Sequence, residues 1–243
     1  MSELSIILTT AVSIAFIHTL VGVDHYVPFI VLSRANSWSL KKTMLIVLFC
    51  GIGHVLSSVI LGFAGIALSA GVSLLVDIES KRGEFATYFF IIFGLIYTIY
   101  GIRRAVKNKT HKHITPEGYI ITHAHAHTHG KNEYENKNDS DHAHRDGKKK
   151  INMFWGLFIL FVLGPCEPLI PIIMYPAATR NTFALICVTV CFAVCTIATM
   201  LTATFIGFKG IRLLNMEKLE RYSHVLAGSA ILSCGLAVLL LPI

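Results

Sequence analysis

The feature that most constrains this chain is the length of its apolar runs. They come in blocks of about twenty residues, enough for a helix to cross the hydrocarbon core of a bilayer and longer than most core helices need. Blocks near residues 4–33, 43–76, 86–102, 152–177, 182–208 and 222–242 predict six membrane helices. The composition agrees: 54% of the 243 residues are hydrophobic and 14% are charged, against roughly 25% charged in soluble domains. The first block starts at Leu4 with no Lys or Arg before it and no small-residue cleavage site, and it contains His18, Asp24 and His25. It therefore reads as a retained helix and not a signal peptide. Lys and Arg outnumber Asp and Glu by 21 to 14. They lie almost wholly in the loops, so the excess reads as membrane topology and not as a nucleic-acid surface.

One long polar segment divides the chain. The expected organisation is a first three-helix repeat over residues 1–104, a histidine-rich loop over 105–150 and a second three-helix repeat over 151–243. With six spans, only Lys81, Arg82 and Arg180 lie on the side of the termini, and the other 18 of the 21 basic residues lie opposite. Positive charge favours the cytoplasm, so both termini are expected outside and the long loop inside, at the cell membrane.

The two halves align. Setting Pro28 on Pro171 lays VDHYVPFI (Val23 to Ile30) over CEPLIPII (Cys166 to Ile173) and puts Asp24 on Glu167. LGFAGI at Leu61 matches IGFKGI at Ile206, a frame in which His54 falls on Thr199 and Cys50 on Cys195. In the last pair, FGL at Phe93 matches CGL at Cys234. An odd number of spans per half forces opposite orientations, so the fold class expected is an all-α membrane protein with a 3+3 inverted repeat. That architecture places transport sites near the midplane.

An ionisable residue inside a span costs ~2.5–3.5 kcal/mol, and such residues mark pathways more often than packing. The candidates are His18, Asp24 and His25 in the first helix, His54 in the second and Glu167 in the fourth. Imidazole with carboxylate suits a divalent transition-metal ion, and the same groups could relay protons. On a straight helix His18 and His25 share a face but stand ~10 Å apart along the axis. One ion could touch both only if the helix unwinds at Gly22; otherwise they form two stations, or Asp24, His25 and His54 make one site with His18 at its entrance. Pro28 and Pro171, read as helix-interior prolines, would free the carbonyls of Asp24 and Glu167. The plainer reading of all these groups is a packing kink with acids paired to histidines. His224 reads as an interfacial residue.

Eight histidines fall in the loop, among them the alternating His123, His125, His127 and His129. That composition is a metal-binding cue, and its polar neighbours give it no core to fold around. Its expected role is to collect ion for the membrane path. The six cysteines all lie in apolar segments. Cys187, Cys191 and Cys195 share one helix face, and they read as packing. Gly62, Gly65 and Gly228 read as close helix contacts.

Six spans, HTLVGVDH in the first helix, GH in the second, GPCEP in the fourth and the histidine loop together resemble the nickel/cobalt exporter (NicO) family, over nearly the whole chain. That family belongs to a wider group with UreH-like and DsbD-like transmembrane domains. The resemblance implies efflux of nickel or cobalt by proton exchange, with His18, Asp24, His25 and His54 in the site. The first-helix motif departs from the exporters' in spacing and acid, so zinc, manganese and iron stay in play. The ion is substrate; no cofactor and no enzymatic activity are expected. The expected partners are membrane lipid and metal ion, with a homo-oligomer compatible and no nucleic acid. The rival class is a DsbD-type thiol–disulfide electron carrier, which needs a cysteine in the first helix of each half. Cys166 has Val23 where its partner would stand.

Overall fold

The computed structural model describes residues 3–107, 111–114, 120–123, 153–164, 166, 168–213 and 221–240. Its helices are α1 (Glu3–Val21), α2 (Val27–Ala35), α3 (Leu40–Ala67), α4 (Val72–Lys107), α5 (Met153–Leu163), α6 (Leu169–Ala178), α7 (Thr182–Leu213) and α8 (Ser223–Leu240). Five of them, α1, α3, α4, α7 and α8, are long and apolar enough to cross a membrane, while α5 and α6 are shorter apolar helices. Large apolar side chains face outward around the bundle. Ile60, Phe85, Ile96, Val194 and Ile206 are each at least 60% exposed, a surface suited to lipid and costly in water. The protein is accordingly a multi-pass membrane protein.

The first predicted helix is two. It stops at Val21, makes a single 3-10 turn over Val23–His25 and resumes at Val27. The fourth predicted helix is likewise divided into α5 and α6, with Gly164 to Pro168 between them. This corrects the role expected of the prolines. Pro28 lies in the first turn of α2, and Pro171 lies in the first turn of α6. A helix start has no partner for those N–H groups, so proline begins these helices and does not kink them. The third helix also begins earlier than expected, at Val72 instead of near residue 86. Lys81 and Arg82 are therefore helical residues, and the connection before them is the short segment 68–71.

Both breaks lead into the same local structure. In the frame that sets Pro28 on Pro171, the bond Tyr26 N–H to Val23 O (3.4 Å) corresponds to Leu169 N–H to Cys166 O (3.0 Å). At the far ends of α2 and α6, Ser37 and Arg180 take the left-handed conformation, with φ of 52° and 53°. Each is followed by a residue whose N–H reaches back to a helix carbonyl, Trp38 to Ser33 at 2.8 Å and Asn181 to Pro176 at 3.0 Å. This closes the terminal carbonyls without a glycine.

Glycines allow close contacts between several helix pairs. A Cβ on Gly62 of α3 would collide with Ile173 of α6, and one on Gly207 of α7 would collide with Ile30 of α2. A Cβ on Gly94 of α4 would sit 2.5 Å from the backbone of Leu232 in α8, and one on Gly235 of α8 would sit 3.0 Å from Ile91 of α4. The α4–α8 seam brings backbone against backbone at further points, with Gly101 against Val225 and Gly228 against Thr98. Without a hydrophobic drive between helices in lipid, such close backbone approach is the main source of association. Gly65 packs on Leu75, at the turn from α3 into α4.

His224, at the start of α8, is buried and joined to Tyr97 through a 2.8 Å bond between the Tyr97 hydroxyl and its Nδ1, an inter-helix contact. In the loop, β1 (His111–Ile114) and β2 (Ile120–His123) form an antiparallel ribbon that sets His111 opposite His123. The expectation of a loop without regular structure does not hold for this part. His125, His127 and His129 lie outside the described residues.

Candidate metal centre

The break in the first helix brings together groups that a straight helix would separate. Gly22 is the hinge: its N–H still donates to His18 O (2.9 Å), and its own carbonyl accepts from His25 N–H (3.0 Å). The chain thus turns tightly enough to fold His25 back. The His18 and His25 rings stand 5.1 Å apart between centroids, edge to face. A side chain at position 22 would obstruct this, since a Cβ there would lie 2.5 Å from His25 Nδ1.

His54 of α3 completes the group. Its ring stands 5.1 Å from that of His25, again edge to face. His54 Nδ1 lies 3.2 Å from the carbonyl of Phe161 on α5. His25 Nδ1 lies 2.9 Å from the carbonyl of Gly22 and 3.3 Å from Oδ1 of Asp24. A carbonyl oxygen can only accept, so in both rings Nδ1 carries the hydrogen and a neutral ring keeps its lone pair on Nε2. The Nε2 atoms of His18, His25 and His54 are all buried and without a hydrogen-bond partner. An unsatisfied buried polar atom costs about 1–3 kcal/mol, and three in one place need a reason. Imidazoles held through Nδ1 by a carbonyl or a carboxylate, with Nε2 directed inward, are the usual arrangement of metal-binding histidines.

All three rings line one cavity of about 520 Å³ together with Asp24, Gly22 and Gly164. Its exposed lining comes from Val21 of α1, Ser80, Glu84 and Tyr88 of α4 and Val238 and Leu239 of α8, so it opens beside the ends of α1 and α8. In the other direction the path is packed shut. Phe161 lies 4.6 Å from Phe29 and 6.3 Å from both Phe90 and His54, ring centre to ring centre. Those phenylalanines belong to a core that continues through Leu32, Trp38, Ile46 and Met200.

The second break is held by a polar cluster. Glu79 of α4, only 1% exposed, accepts from Ser58 Oγ of α3 and pairs with Arg82 one turn on. Arg82 also donates to Ser57 Oγ (2.8 Å) and to the carbonyls of Val162 (3.0 Å) and Gly164 (3.3 Å). The N–H of Cys166 is shared between Ser58 Oγ and Glu79 Oε1, at 3.2 Å each. A broken helix in a membrane exposes backbone groups that no lipid can satisfy; here three side chains, Arg82, Ser58 and Glu79, take up the Val162 and Gly164 carbonyls and the Cys166 N–H. The same clasp brings Cys166 to the histidines. One ligand atom from each of His18, His54 and Cys166 lies within 4.8 Å of the others.

Of the residues singled out in the sequence, His18, His25, His54 and Asp24 thus meet in one cavity, with Asp24 placed beside His25 Nδ1. Glu167 lies outside the described residues, as do most of the loop histidines. The sequence does not mark Glu79, Arg82, Ser57 and Ser58 as site-building residues, because the five charges between Asp77 and Glu84 read as a loop. The available signal was spacing: Glu79 and Arg82 are a helical i, i+3 pair, and His54 and Ser58 stand one turn apart on α3. No cysteine is in a disulfide. Compared with known proteins, the chain matches no family model, no curated protein and no solved structure.

Proposed function

We propose that the protein is a transporter of a divalent transition-metal ion, with nickel and cobalt the first candidates and efflux the expected direction. The observation that carries this reading is that three histidines with buried, unpartnered Nε2 atoms line one cavity inside a membrane bundle. The donor set favours nickel, cobalt or zinc over magnesium or calcium, which prefer oxygen. In this reading His18, His25 and His54 hold the ion. Asp24 fixes the His25 ring and supplies negative charge. Glu167, its counterpart in the second half, is a further candidate ligand or proton carrier.

The architecture proposed is six crossings in a 3+3 inverted repeat, in which α1 with α2 and α5 with α6 each form one broken span. Support comes from the contacts exchanged between halves: Gly62 with Ile173 against Gly207 with Ile30, and Gly94 with Leu232 against Gly235 with Ile91. With the histidine-rich loop in the cytoplasm, as the basic residues favour, the cavity faces outside and the phenylalanine block closes the cytoplasmic side. The loop then gathers ion on the side from which it is exported.

The decisive experiment compares whole-cell nickel, cobalt, zinc, manganese and iron with and without expression, for wild type and for His54→Ala. A fall in one metal that His54→Ala abolishes names substrate and direction together. Unchanged contents of all five, with the protein inserted in the membrane, would falsify the transport reading.

A further inference from the structure

We propose that Cys166 is a metal ligand, so that the ion held by the histidines of the first half is also bound by a sulfur from the break in the second. This deepens the transport reading and rests on it. The first observation is geometric: the three ligand atoms already lie within 4.8 Å of one another. An ion with metal–nitrogen bonds near 2.0 Å and metal–sulfur near 2.3 Å needs ligand atoms ~3.3–3.5 Å apart in tetrahedral geometry. A rotamer adjustment of about 1 Å suffices. The second observation is the pair of inward nitrogens, since His54 is 3% exposed and both its Nε2 and that of His18 lack a partner.

The backbone of Cys166 is positioned as a ligand turn should be. Its N–H is held by Ser58 and Glu79, and its carbonyl accepts from Leu169 N–H at 3.0 Å. Ser58 stands one turn beyond His54 on the same face of α3. One helix therefore presents an imidazole to the ion and grips the loop that bears the sulfur. As the metal–sulfur bond forms, the thiol proton is lost to water in the cavity, so each ion bound releases a proton at this position.

Sulfur narrows the substrate class. Thiolate with imidazole selects zinc, cobalt(II), nickel(II) and softer ions, and disfavours manganese and magnesium, which prefer carboxylate and water. It also joins the two halves through the substrate, because His18 and His54 belong to one half and Cys166 to the other.

The test uses cobalt(II) as probe on the full-length purified protein. Sulfur–cobalt bonds give an intense near-ultraviolet charge-transfer band that imidazole and carboxylate do not give, so the loop histidines cannot mimic it. A variant keeping Cys166 and replacing Cys50, Cys187, Cys191, Cys195 and Cys234 by alanine should show the band at one cobalt per chain. Cys166→Ser should lose it, bind cobalt at least tenfold more weakly at the membrane site, and shift zinc-over-manganese preference tenfold or more towards manganese. X-ray absorption of the wild type would report the sulfur without any variant. Cobalt bound at His54 with only nitrogen and oxygen neighbours would overturn the sulfur ligand and leave the transport reading standing. Absence of any His54-dependent binding of cobalt, nickel or zinc would overturn both.

Discussion

The rings of His18 and His25 stand 5.1 Å apart, about half the ~10 Å axial separation that seven residues of straight helix impose. The helix gives up its continuity at Gly22 to achieve this, and the break also turns the His25 Nδ1 towards the Gly22 carbonyl. The two histidines therefore line one cavity together.

Gly22→Ala should break that arrangement. The added methyl would lie 2.5 Å from His25 Nδ1 and 2.8 Å from its Cε1, so the ring must move. We expect metal affinity to fall roughly 10–100-fold, the range for losing the support of a ligand, while insertion is retained. Titration of purified protein with nickel measures it, and wild-type affinity would refute the hinge role.

Asp24→Asn removes the carboxylate 3.3 Å from His25 Nδ1 and keeps its size. Affinity should drop by roughly 10–100-fold, and Asp24→Asn made in a His25→Ala background should add little if the carboxylate acts through His25. A fully additive double mutant in the same titration would instead make Asp24 a ligand in its own right. In wild type, affinity should weaken as the pH falls, because protons compete for the Nε2 lone pairs.

Arg82→Met leaves Glu79 buried without its cation and frees the carbonyls of Val162 and Gly164. Breaking a buried pair from one side costs about 3–5 kcal/mol, so the melting temperature in detergent should fall clearly. Glu79→Gln combined with Arg82→Met should recover part of the loss. Equal stability of Arg82→Met and wild type would show that the clasp on the second break is dispensable.

The cavity mouth gives a test of sidedness. Glu84 is exposed and lines it, so Glu84→Cys in a background that keeps only the buried Cys166 of the native cysteines should react with an impermeant thiol reagent added outside intact cells. Saturating substrate metal should slow the reaction. Labelling only after the cells are opened would reverse the orientation proposed.

Gly228→Val tests the α4–α8 seam, where a Cβ already meets the backbone of Thr98. We expect poor accumulation of folded protein. Gly210→Val is the control, since nothing lies within 4 Å of a Cβ there, and it should accumulate normally. Fluorescence size-exclusion of both variants makes the comparison.

Much of this was legible in the sequence. The length of the apolar runs determines a membrane bundle, because only helices of that length satisfy their own backbone in lipid. The cost of burying ionisable groups singles out His18, Asp24, His25 and His54, and the paired motifs around Pro28 and Pro171 mark where the two broken segments begin. What the sequence leaves open is which of these groups meet. Helical period is a local rule, and it counts His18 and His25 as two turns apart whether or not the chain breaks between them. The Nδ1 partner of His54 is a carbonyl on α5, and the groups that seat Cys166 come from α3 and α4. These are contacts between distant segments, decided by helix packing through Gly62, Gly94, Gly207 and Gly235. Glu79 and Arg82 were hidden for the same reason: charge lowers local hydropathy and suggests a loop, and only the folded bundle supplies the partners that let both sit inside a membrane helix.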